Sequence, residues 1–188
     1  MTNNYNLFSF KLSINIYNKL SDNLLKDFQE AVSNQIAFNE TVKRLEKHYG
    51  IKLDISEFNE IFRTEKPELV QLQNDKLNNG IVFSVIAALV CELALKYITV
   101  KNGKNFSFTH NLRGLYDKLE ISQKDLIKKN TMKKCRFISE EDFENELNDS
   151  SENFKTLRYF FEGNNHQLNN IFLKGFKDAL VELVESYN

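Results

Sequence analysis

The stretch Ile81–Val100, IVFSVIAALVCELALKYITV, decides the fold class. Only Ser84, Glu92, Lys96 and Thr99 are polar in it. At helical pitch Ser84, Glu92 and Lys96 line up as one narrow stripe, with Ala88 in the gap. The rest of the circumference is apolar, so neighbours must cover this helix on most sides. A membrane span would also be apolar all round. Here the uninterrupted run ends at Cys91, which suits a buried core helix better than a bilayer crossing. Glu92 and Lys96 also form an i,i+4 pair in the favourable order, and charges inside a bilayer are costly. The segment therefore reads as the central helix of a soluble bundle, and no membrane partner is expected.

Composition agrees with a helical chain. There are 188 residues, enough for one domain of ordinary size or one domain with a small appendage. One Pro, six Gly, sixteen Phe and no Trp favour helices around an aromatic-rich core. A net charge of −1 gives no global field towards nucleic acid or an acidic surface, so only local patches can supply one. Cys91 and Cys135 make no disulfide framework, and Cys91 reads as a small buried thiol. The N-terminus lacks a basic region followed by an apolar block, which points to a cytoplasmic location.

On the N-terminal side, Phe8, Phe10, Leu12, Ile14 and Ile16 alternate with Ser9, Lys11, Ser13 and Asn15. That period of two predicts a half-buried strand near 8–17, and a shorter alternation predicts another near 51–55. Ser21 to Tyr49 is helical in composition, with a break expected near Ser33–Asn34. Pro67 is suited to open a helix, and Asn78-Asn79-Gly80 reads as punctuation. The expected organisation is an N-terminal α+β extension over 1–79, packed on a helical domain over 80–188.

On the C-terminal side, Thr109 is the expected N-cap of a helix carrying Leu112, Leu115, Tyr116 and Leu119. A Lys-rich helix follows from Ser122, then a short acidic helix over Ser139 to Leu147. Another is capped by Ser150 or Ser151 and carries Phe154, Leu157, Phe160 and Phe161. Gly163-Asn164-Asn165 is a tight connection, and Asn164 with Gln167 resembles a capping box. The last helix shows an apolar seam of Leu168, Ile171, Phe172, Gly175, Phe176, Ala179 and Leu183. Gly175 on that seam predicts close approach to another helix.

Several side chains suit phosphate chemistry. Arg158 sits on the flank of the face holding Phe154 and Phe161, where its planar fork can either pair with Glu162 or bind phosphate oxygens. His110 and His166 both fall in the predicted first turn of helices, where backbone N–H groups attract anions and a neutral imidazole can act as a base. Lys124, Lys128, Lys129, Lys133, Lys134 and Arg136 crowd one segment. They form either a strip for several phosphates or a solvated face balanced by the acidic run that follows. No phosphate-loop, dinucleotide or zinc-hydrolase motif occurs, and three scattered histidines give no metal spacing. No cofactor and no metal is expected.

Three segments carry a resemblance: Ala88–Lys96 (ALVCELALK), His110–Leu119 (HNLRGLYDKL) and Phe154–Glu162 (FKTLRYFFE). In that order they resemble the HEPN superfamily over about residues 81–188. The resemblance implies an all-α up-and-down bundle that forms a homodimer. It also implies a metal-independent endoribonuclease of a bacterial toxin–antitoxin or phage-defence system, with an antitoxin or other defence protein as partner. Arg158 and His166 would be its catalytic pair across the dimer cleft. Tyr159, Glu162, His110, Lys128, Lys129, Lys133 and Lys134 would bind substrate. Here seven residues separate Arg158 from His166, against four to six in the active branch. The alternative is therefore a catalytically inactive HEPN-like module that binds a nucleotide, RNA or a partner protein.

Overall fold

A computed structural model of the chain describes residues 7–49, 67–105, 109–136, 139–157 and 169–187. The helices among these residues are α1 (Leu7–Tyr49), α2 (Pro67–Lys101), α3 (Leu112–Tyr116), α4 (Ile121–Cys135), α5 (Glu140–Leu157) and α6 (Asn170–Ser186). The all-α expectation for the bundle holds, and no strand occurs among the described residues.

The strand expected near 8–17 is a correction: these residues open α1, which continues unbroken through Ser33–Asn34. Its 43 residues contain neither Gly nor Pro, so nothing stops a helix once it is nucleated. A strand, by contrast, would need a ladder partner, and none occurs among the described residues. A helical stripe also lies inside the alternating run. Ile14, Ser21, Leu25 and Ala31 are buried, with Asn18 and Phe28 half-buried between them. The alternating pattern leaves a residue of its own. Phe8, Leu12, Ile16 and Leu20 form an exposed apolar ridge at i,i+4 spacing. The second expected strand, at 51–55, lies outside the described residues.

The chain divides into two compact units, Met1–Ser21 with Ser84–Asn188, and Asp22–Phe83. In the smaller unit the later part of α1 runs antiparallel to the start of α2. Lys76 pairs with Glu30 at 3.2 Å, and Asn79 Nδ2 reaches Asp27 Oδ2 at 3.5 Å. The punctuation expected at Asn78-Asn79-Gly80 is absent, because α2 passes straight through it. Gly80 serves packing instead: a Cβ there would come within 2.7 Å of the Phe28 ring.

In the larger unit the apolar stretch from Ser84 to Val100 is core. Ala87, Ala88, Val90, Cys91, Ala94, Leu95 and Ile98 are buried. The window Asn79–Lys101 is long and apolar enough to cross a membrane, yet 67% of it is buried inside the molecule. The polar stripe is buried too, so its groups find partners within the fold. Ser84 Oγ donates to Asn170 Oδ1 at 2.5 Å, and Thr99 Oγ1 donates back to the Leu95 carbonyl at 2.8 Å.

Helix α6 packs on α4 and α5, and α5 also lies on α3. Gly175 meets α4 as expected, against Cys135 Sγ with the Thr131 carbonyl close by. The aromatic core is centred on Phe143, Phe172 and Phe176. Phe172 and Phe176 stack at 5.6 Å, and Phe143 stands edge-on to Phe172 at 5.7 Å. Tyr116 brings α3 to the same cluster, 5.8 Å from Phe143, while its hydroxyl donates to the Lys124 carbonyl. Each such pair adds about 0.5–1.5 kcal/mol beyond area burial.

Several expected boundaries move. Helix α5 is continuous from Glu140 to Leu157, so Ser150 and Ser151 are buried mid-helix residues rather than caps. Helix α4 starts at Ile121 from a capping box of Glu120 and Gln123. Asn169 caps α6 by accepting from the Ile171 and Phe172 amides. The seam on α6 is wider than read, since Leu173, Lys177, Leu180, Val181 and Val184 are also buried while Ile171 is exposed.

Candidate functional site

Titratable groups from separate segments converge at the middle of α2. Glu92 is 3% exposed and Lys96 8%, one helical turn apart. Lys96 Nζ donates to Glu92 Oε1 at 2.7 Å. The imidazole of His110 lies on the same carboxylate, with Nδ1 3.0 Å from Oε1 and 3.1 Å from Oε2. A carboxylate that accepts from an ammonium has only acceptor sites to offer, so Nδ1 carries the proton. In the neutral ring this is the Nδ1–H tautomer, with the Nε2 lone pair on the far edge. The His110 side chain is 49% exposed while that of Glu92 is 4%, so the far edge is the part that meets solvent.

His110 reaches this position from outside a helix, a correction to its expected place in a first turn. The N-cap of α3 is Asn111, not Thr109. Asn111 Oδ1 accepts from the Gly114 amide at 2.7 Å, and Thr109 Oγ1 accepts from the Asn111 amide at 3.1 Å. Ser151 Oγ donates to Asn111 Oδ1 at 2.8 Å, tying the cap to α5. With capping done by Asn111, His110 is free to turn its ring towards α2. The partner of His110 is thus a buried carboxylate rather than the amides of a first helical turn.

Two cations of the Lys strip sit against acids. Lys128 is 3.0 Å from Glu144 and 3.4 Å from Glu140, and Lys134 pairs with Glu182 at 2.6 Å. Lys129 and Lys133 are exposed. Hydrogen bonding to Glu144 holds the Lys128 ammonium above its ordinary value. Partial burial pushes Glu144 up, but bonds from Lys128 and Arg113 outweigh it and hold the carboxyl below the usual range. Arg113 also grips Asp117 at 3.0 Å, so this network joins α3, α4 and α5.

Neither thiol is a nucleophile candidate. Both cysteines are free and buried, and burial pushes the Cys91 and Cys135 thiols up. No group of three or more His, Cys, Asp or Glu that could hold a metal ion occurs among the described residues. Arg158, Tyr159, Glu162 and His166 lie outside the described residues, as does the expected Asn164–Gln167 capping box. Of the sequence-predicted site residues, the structure thus brings His110 to Glu92 and Lys96, and leaves Lys128 and Lys134 among acids. Glu92 as the partner of His110 was missed. The available signal was its place on an otherwise apolar helix, where a buried charge needs partners.

No protein-family model, no curated protein and no solved structure matches the chain.

Proposed function

We propose that the chain is a HEPN-like helical protein that acts on RNA as a metal-independent endoribonuclease. In this reading it works as a homodimer in a bacterial toxin–antitoxin or phage-defence system, held in check by an antitoxin or other defence protein. The observation that supports it is the meeting of Glu92 and Lys96, from ALVCELALK, with His110, from HNLRGLYDKL. Two segments whose order suggested the family contribute to one cluster. Arg158 and His166 supply the catalytic cation and imidazole, and Tyr159 and Glu162 flank them. Lys129 and Lys133 reach RNA phosphates more readily than Lys128 and Lys134, which are engaged with acids.

That engagement favours a second reading, a catalytically inactive HEPN-like module that binds a nucleotide, RNA or a partner protein. A strip with two of its cations neutralised in place releases fewer counterions on binding RNA. Regulated expression in a bacterial host separates the two. The nuclease reading expects arrested growth and RNA decay, relieved by Arg158→Ala or His166→Ala. Normal growth with intact RNA on full expression leaves the binding module.

A further inference from the structure

We infer that His110 is a proton-transfer residue of this protein and that Glu92 is its positioning residue. The inference rests on the RNA reading for its substrate class, a phosphodiester with a neighbouring ribose hydroxyl.

Three observations carry it. Nδ1 of the ring is held by both oxygens of a carboxylate that is almost wholly buried. The same carboxylate also accepts from Lys96, which anchors it within the fold. The opposite edge of the ring is open to water, and the capping work nearby belongs to Asn111. A buried carboxylate that orients an imidazole and leaves its other nitrogen facing a substrate is the arrangement that makes a general base. A histidine recruited only to neutralise Glu92 would be redundant with Lys96, which already satisfies Oε1.

The step balances as follows. Nε2 of neutral His110 takes the proton of a ribose 2′-hydroxyl as that oxygen bonds to the adjacent phosphorus. The bond from phosphorus to the 5′-oxygen breaks, and the leaving oxygen takes a proton from water or from His166, the imidazole of the proposed catalytic pair, acting as the acid. The products are a 2′,3′-cyclic phosphate and a 5′-hydroxyl end. The imidazolium that forms is stabilised by Glu92 and returns its proton to solvent. No oxidant, reductant or metal enters the balance.

The test uses the full chain in two arms. Nitrogen-15 NMR of the imidazoles should show His110 as the Nδ1–H tautomer in the neutral state, lost in Glu92→Gln. Observation of the Nε2–H tautomer overturns the inference whatever the activity. In the second arm, labelled single-stranded RNA is incubated in EDTA with wild type, His110→Asn and Glu92→Gln. Thermal melts confirm that each variant is folded. Cleavage should fall on the order of 10²-fold or more in His110→Asn with RNA binding retained. Cleavage at the wild-type rate in a folded His110→Asn overturns the inference and leaves the RNA reading standing. Intact RNA with wild type overturns the RNA reading and this inference together.

Discussion

Gly175 of α6 lies against Cys135 of α4 so closely that a methyl group at Gly175 would overlap the Cys135 sulfur. The contact sits between the two helices that carry much of the larger unit's packing, and Cys135 Sγ also donates to the Ile171 carbonyl at 3.5 Å. Gly175→Ala gains about 1 kcal/mol of helix propensity but forces overpacking that costs about 1–3 kcal/mol. The expected outcome is a destabilised protein in urea melts. Cys135→Ala should relieve it, so the double variant should be more stable than the sum of the single changes. Additive effects would mean that the two helices stand further apart.

The register of α1 predicts opposite outcomes at two neighbouring isoleucines. Ile14 is fully buried and Ile16 is 57% exposed. Ile14→Ala should cost about 2–5 kcal/mol, whereas Ile16→Ala should stay within about 0.5 kcal/mol. On a strand both would share one face and respond alike. Equal losses at the two positions would restore the strand.

Comparing these two cases shows what the sequence made legible. The core helix and Gly175 were readable because each feature has one physical solution: an apolar circumference must be buried, and a seam glycine admits a neighbour. The 8–17 run was not, because its alternation and its i,i+4 spacing coexist in the same residues. Length and the lack of Gly or Pro decided for helix. The site was half legible. His110 was singled out for a wrong reason, a first turn it does not occupy. Its real partner is 18 residues away and only tertiary packing brings it near.

Glu92 and Lys96 predict a strongly non-additive pair. Glu92→Ala leaves an ammonium buried without its carboxylate, and removal of one partner of a buried pair costs about 3–5 kcal/mol. Combining Glu92→Leu with Lys96→Met should recover most of that loss. Denaturant unfolding of the single and double variants measures it. A single change costing less than about 1 kcal/mol would show that the pair is solvated.

Acid should act through Glu144. Its carboxyl is held below the ordinary value in the fold, so its contribution is present above about pH 4.3. It is lost as pH falls through the lower folded value. The raised values of Lys128 and Arg113 act at the alkaline end and leave this window untouched. Glu144→Gln should therefore lose about 0.2–1 kcal/mol near neutrality and show a flatter acid limb in stability measured against pH. An unchanged acid limb would contradict the three-helix network.

The most direct measurement of the central claim is the identity of the RNA ends left by the purified chain in EDTA. The account predicts cleavage without added metal, with 2′,3′-cyclic phosphate and 5′-hydroxyl termini, reduced in His110→Asn. RNA left intact by the folded protein, or products with 3′-hydroxyl and 5′-phosphate ends, would contradict it.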